Sequence, residues 1–137
     1  MSVKINSISR LGVVRCLAVI AFLAIFAAPV QAFEIEIDVA PATLNLQNQG
    51  QCVTVHTDIA FGEVDVHSVF INGIAIDSWK ADNQGNFVAK FLINEIKNLP
   101  LNIGDYNTLT LIGNTVYNEA FSGSQDIMVI NVIPKGR

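Results

Sequence analysis

The sequence predicts an all-β sandwich of about seven strands, and three observations carry that expectation. Val, Ile and Thr supply 29 of residues 33–137, against seven Ala and seven Leu, a balance that suits pleated strands better than helices. Glycines stand at 50, 62, 73 and 85 and again at 104, 113 and 123; turns recur at such intervals in sandwiches and barrels. Between them several stretches alternate apolar and polar residues, the period of a half-buried strand.

The elements follow in order. Phe33 to Val39 alternates strictly, placing Ile35, Ile37 and Val39 on one face and Glu34, Glu36 and Asp38 on the other. Pro41 ends that strand, Thr43 to Leu46 resumes it, and Gln47-Asn48-Gln49-Gly50 is a turn. Gln51 to Thr57 alternates again, with Val53 and Val55 opposite Cys52, Thr54 and His56. Val64-Asp65-Val66 leads into Ser68 to Ile71, and Asn72-Gly73 is a type I′ hairpin signal, because both residues tolerate positive φ. Ile74 to Ile76 returns from it. A second hairpin runs from Ser78–Lys80 through Asp82-Asn83-Gln84-Gly85-Asn86 into Phe87 to Ile93. Asn94 to Asn98 reads as one helical turn capped by Asn94. Asn107 to Ile112, Thr115 to Phe121 and Asp126 to Ile133 complete the set.

Residues 1–32 read as a cleaved signal peptide and 33–137 as a single domain. Lys4, Arg10 and Arg15 form a positive front, Cys16 to Ala28 is an uninterrupted apolar run, and Pro29 precedes the small-residue pattern Val30-Gln31-Ala32. That run is shorter than the roughly 20 apolar residues that a membrane span needs, which disfavours an uncleaved anchor, and Pro29 just past Ala28 favours cleavage after Ala32 instead. Arg15 beside Cys16 argues against a lipoprotein site. The expected location is extracytoplasmic: periplasm, cell surface or medium. All twelve carboxylates lie beyond the leader against five Lys and Arg, a net −7. Such a domain has no electrostatic route to nucleic acid or to an anionic membrane surface, and no second apolar run follows the leader.

The residues that carry chemistry do not assemble into a recognisable motif. Cys52 is the one cysteine outside the leader; strand alternation places it opposite the valine face, but composition favours burial, and a buried thiol is the expectation. Glu34, Glu36 and Asp38 read as charges that guard an edge strand. Asp82, Gln84 and Asn86 offer oxygen ligands of the kind calcium takes, yet without the acidic count of an EF-hand, so a plain turn is preferred. Cys52 and His56 stand too far apart along a strand to chelate one ion. His67 next to Ser68 has neither nucleophile elbow nor oxyanion hole. Trp79, Tyr106 and Tyr117 offer rings for sugar stacking, and one core tryptophan is the commoner arrangement in a sandwich.

Three segments carry a family resemblance: Ser68-Val69-Phe70-Ile71-Asn72-Gly73, Lys80-Ala81-Asp82-Asn83-Gln84-Gly85-Asn86-Phe87-Val88-Ala89-Lys90-Phe91 and Leu109-Thr110-Leu111-Ile112-Gly113. They resemble the small bacterial immunoglobulin-like modules of secreted and surface proteins, which pair a V-x-I-N-G hairpin with a D-x-x-G-N-x-x-x-K-F hairpin and close on an L-T-L-x-G strand. The resemblance implies an immunoglobulin-like β-sandwich and an extracytoplasmic compartment, and it carries no catalytic residue, cofactor or metal. The expected function is therefore a non-catalytic binding or structural module that holds a protein or envelope partner through a sheet face or edge. The alternative is a small carbohydrate- or calcium-binding module.

Overall fold

A computed structural model describes residues 32–135, so the predicted leader, apart from its last residue, lies outside the described residues. The strands are β1 Phe33–Glu34, β2 Ile37–Ala40, β3 Thr43–Asn45, β4 Cys52–Ala60, β5 Val64–Ile71, β6 Ile74–Ala75, β7 Ser78–Ala81, β8 Asn86–Leu92, β9 Asp105–Thr115 and β10 Ala120–Ile130. A single-turn helix, α1, spans Ile93–Lys97. Sheet I runs β1-β10-β9-β5-β6, with β3 on β10 as well, and sheet II runs β2-β4-β8-β7. The fold is an all-β sandwich.

Alternation decides which residues meet between the sheets. Val53 and Val55 of β4 and Phe87, Ala89 and Phe91 of β8 face Val69 and Ile71 of β5, Leu109 and Leu111 of β9, and Phe121, Ile127 and Val129 of β10 in one apolar cluster. Phe87, Phe91 and Phe121 are the largest side chains wholly out of solvent. Ile93 and Ile96 of α1 join the same cluster.

The first strands divide between the sheets. β1 pairs in parallel with Phe121 and Ser122 of β10, β2 pairs antiparallel with β4, and β3 returns to pair in parallel with Met128 to Ile130. This crossing needs Gly123, where a Cβ would stand 2.7 Å from the Ile35 carbonyl oxygen. Gln125 Oε1 accepts a hydrogen bond from the Val39 N–H at 2.8 Å, tying the crossing segment to β10. On the opposite margin Trp79 of β7 meets His67 of β5, ring centroids 5.5 Å apart and planes at 81°, so an aromatic pair bridges the two sheets.

Two irregular strands are completed by hydroxyls. The β4–β8 register shifts between His56 and Ala60, and there the buried Thr57 hydroxyl donates to the Phe87 carbonyl at 2.6 Å. The β5–β9 register shifts between Asp65 and Phe70; Ser68 Oγ donates to the Asp65 carbonyl at 2.6 Å and accepts from the Asn114 N–H at 2.8 Å. A bulge leaves ladder groups unpaired, and a short hydroxyl side chain supplies the partner.

Several elements differ from the sequence expectation in detail. The strand expected over Phe33 to Val39 is split into β1 and β2 because it changes sheets, and short strands such as β3 and β6 raise the number above seven. Thr115 to Phe121 and Asp126 to Ile133 are not separate strands: β9 runs on to Thr115, and β10 spans Ala120–Ile130. The intervening turn contains no glycine. Thr115 Oγ1 accepts from the Tyr117 and Glu119 N–H groups at 3.2 and 3.1 Å, and Asn118 takes φ 62°. Gly113 and Gly123 are strand residues that make room for neighbours, so their spacing mimicked turn punctuation. α1 begins at Ile93 after Leu92, with no side-chain cap bond, so Asn94 is not its cap. The type I′ expectation at the β5–β6 hairpin agrees with the backbone, since Asn72 and Gly73 have φ of 45° and 84°. Asn72 also lengthens the sheet: its Oδ1 accepts from the Thr110 N–H at 2.8 Å and its Nδ2 donates to the Thr108 carbonyl at 3.1 Å.

Candidate functional site

The face of sheet I that points away from the core gathers exposed apolar, hydroxyl and acidic side chains. On β9 the inward positions are Leu109 and Leu111, so Tyr106, Thr108, Thr110 and Ile112 point outward. Their cross-strand partners share that face. Ile112 opposes Ser122 on β10 and Phe70 on β5, and Phe70 in turn opposes Ala75 on β6. Tyr106 opposes Met128, which opposes Thr43 on β3. The face thus has an apolar patch at each end, around Ile112 and around Tyr106. Ile112 is 48% exposed and Tyr106 63%, while Phe70 and Met128 are half-buried. Six residues of strand, about 20 Å, separate the two patches.

Between them lies a polar stripe whose hydroxyls are paired with one another. Thr108 Oγ1 donates to Asp126 Oδ1 at 2.6 Å, and the Thr110 and Ser124 hydroxyls are 2.9 Å apart. These bonds hold the side chains in fixed rotamers and leave the second Asp126 oxygen without a side-chain bond from this stripe. Glu34 on β1 opposes Ser122, and Asp65 on β5 opposes Asn114, so both carboxylates border the same face. The arrangement offers apolar contact, hydroxyls and negative charge on one sheet face.

The residues singled out from the sequence are dispersed. The carboxylate row is divided: Glu34 lies on sheet I, Asp38 opposes His56 on sheet II, and Glu36 sits between strands with its N–H bonded to Asp58 Oδ1 at 3.0 Å. Asp82 Oδ1 accepts from the Gln84 and Asn86 N–H groups at 2.8 and 2.9 Å, so that oxygen organises the turn. Cys52 and His56 oppose Leu92 and Val88 and remain about 13 Å apart along β4. His67 is committed to Trp79, and Ser68 to the β5 bulge.

Two expectations are corrected. Cys52 is not buried: Val53 and Val55 take the core positions, so alternation carries Cys52 to the outer face of sheet II, where it is half-buried. Trp79 is not a core residue either. It shares the inner side of sheet II with its partner Ala89, but on the edge strand β7 it meets His67 across the sandwich margin and is 39% exposed. Nor do Trp79, Tyr106 and Tyr117 form one platform. Tyr106 and Tyr117 lie at opposite ends of β9, and Trp79 belongs to the other sheet.

Among the described residues no group of three or more His, Cys, Asp or Glu is placed to hold a metal ion, and no buried side-chain N or O lacks a hydrogen-bond partner. Among the same residues no helix is long and apolar enough to cross a membrane. No family model matches the chain, and neither does a curated protein or a solved structure.

Sequence reasoning missed the outer face of sheet I as a unit. The run Tyr106-x-Thr108-x-Thr110-x-Ile112 was visible as one row of alternate positions. Its partners Ser122, Ser124 and Asp126 follow only from the β9–β10 register, which the misplaced turn had hidden.

Proposed function

We propose that this chain is an exported, immunoglobulin-like, non-catalytic module that binds a protein partner through the outer face of sheet I. The observation that carries the reading is that exposed Ile112 and Tyr106 stand one at each end of an internally bonded polar stripe on a single sheet face. Each exposed side chain adjoins a half-buried apolar one, Ile112 beside Phe70 and Tyr106 beside Met128; contiguous apolar surface marks interaction sites, and aromatic residues lead the binding energy of protein interfaces. The immunoglobulin-like assignment draws support from strand order. β2-β4-β8-β7 facing β5-β9-β10 corresponds to the ABED and CFG sheets of such sandwiches. Export draws its support from the charged, apolar and small-residue sequence of the leader.

Site-specific photo-crosslinking in the native cell tests this reading. A crosslinker placed at Ile112 or Tyr106 is expected to give a discrete protein adduct, and one at His56 on sheet II is not. Adducts at His56 with none at Ile112 or Tyr106 would overturn the assignment of the face.

A further inference from the structure

The outer face of sheet I carries acid without base. Its charged side chains are Glu34, Asp65 and Asp126, with Asp105 and Glu119 exposed at the two ends of the β9–β10 hairpin. The described lysines all lie elsewhere: Lys80 and Lys90 on sheet II, Lys97 on α1, and Lys135 beyond β10. Of the two histidines, His56 is on sheet II and His67 packs against Trp79 at the sandwich margin. Sheet II is mixed, with Asp38 and Asp58 beside Lys80 and Lys90, so the absence of base from this face is set by which strands pair.

Asp126 sits between the apolar patches. It opposes Thr108, two residues from Tyr106 and four from Ile112, which places it about 7 Å from the tyrosine position and about 13 Å from the isoleucine position along the strand. The Thr108 hydroxyl fixes one carboxylate oxygen. The other is available to a donor arriving from outside the sheet, and a carboxylate already held in one rotamer loses less entropy on pairing. A cation brought there would be flanked on both sides by apolar surface, where contact excludes water and strengthens the pair.

Resting on the binding reading above, we propose that the partner is a protein surface that delivers a Lys or Arg to Asp126, with apolar side chains beside it for the Ile112–Phe70 and Tyr106–Met128 patches. Two copies do not fit face to face, because stacking two such faces opposes carboxylate to carboxylate. A nucleic acid or an anionic bilayer is repelled by the same charges. The complementary partner is also steered toward this face, so both its association rate and its affinity depend on ionic strength.

The test uses the 15N-labelled protein and two synthetic peptides as probes, one alternating Lys with Leu and Tyr, the other identical except for Glu in place of Lys. The Lys peptide is expected to move the amide signals of Tyr106, Thr108, Thr110, Ile112, Ser124 and Asp126, and to bind more weakly as salt is raised. Asp126→Asn retains an acceptor for Thr108 and should weaken that binding roughly threefold to tenfold without disturbing signals from sheet II. Ser124→Lys places a cation on the face and should weaken it further. If the Glu peptide moves the same signals as strongly, the proposed partner chemistry fails while the docking face stands. If the Lys peptide moves signals of sheet II and none of these, both fail.

Discussion

Gly113→Ala separates a turn glycine from a packing glycine. In an open strand position the change from glycine to alanine stabilises by roughly 0.5–1 kcal/mol, because the unfolded chain loses freedom. At Gly113 the added Cβ would stand 2.5 Å from Phe121 Cζ, 3.0 Å from Phe121 Cε2 and 3.1 Å from Val69 Cγ2. Neither neighbour has free space to retreat into: Phe121 is 1% exposed and Val69 0%. Phe121 is also the direct cross-strand partner of Gly113, so its ring occupies the place that a side chain at 113 would take. Overpacking of a tight core costs about 1–3 kcal/mol. Subtracting the backbone gain from the middle of that range leaves a net loss of about 1 kcal/mol, which for a domain of this size lowers the melting temperature by roughly 4–8 °C. Urea denaturation followed by the fluorescence of Trp79, the chain's one tryptophan, measures it directly. Gly62→Ala serves as the control, because its Cβ would meet nothing within 4 Å and its φ is not positive; its midpoint should hold or rise slightly. Adding Phe121→Leu to Gly113→Ala should give a double variant that loses less than the two single changes together. A Gly113→Ala protein as stable as the parent would refute the packing argument.

Three further outcomes are expected. Gly73→Val places a β-branched residue at φ 84° in otherwise open space, so thermal unfolding should show a loss of about 1–3 kcal/mol from backbone strain alone; an unchanged melting temperature would remove the type I′ role. Thr57→Val keeps the shape of the side chain but deletes the hydroxyl that serves the Phe87 carbonyl in the β4 bulge, which should cost about 1–3 kcal/mol in urea unfolding, and a neutral result would show that the bulge needs no such partner. Cys52 stands half-buried on the outer face of sheet II, so a thiol reagent should modify the folded protein without denaturant; labelling that begins only on unfolding would restore the buried cysteine.

Local chemistry made much of the fold readable. Asn72-Gly73 announces its turn because few other pairs tolerate two successive positive φ angles. Val53 and Val55 announce the core face of β4 because a strand has a period of two, and that same period, rather than composition, decided the position of Cys52. The candidate site was only half legible. Tyr106, Thr108, Thr110 and Ile112 could be placed on one row, but a row is not a surface until its neighbours are known.

By itself the sequence determined the strand-forming composition, the β5–β6 hairpin turn, the alternating core positions and the acidity of the domain, since each depends on residues close together in the chain. Tertiary structure alone decided the register of β9 against β10, the crossing of β1 to β3 between sheets, and the role of Gly113 and Gly123 as clearances for Phe121 and Ile35. It also sorted the charges, leaving the outer face of sheet I with acid alone while Lys80 and Lys90 share sheet II with Asp38 and Asp58. The physical reason is that a clearance or a charged face is defined by atoms that meet across strands. In this chain those atoms belong to residues as far apart as Ile35 and Gly123, or Val39 and Gln125, which no local pattern connects.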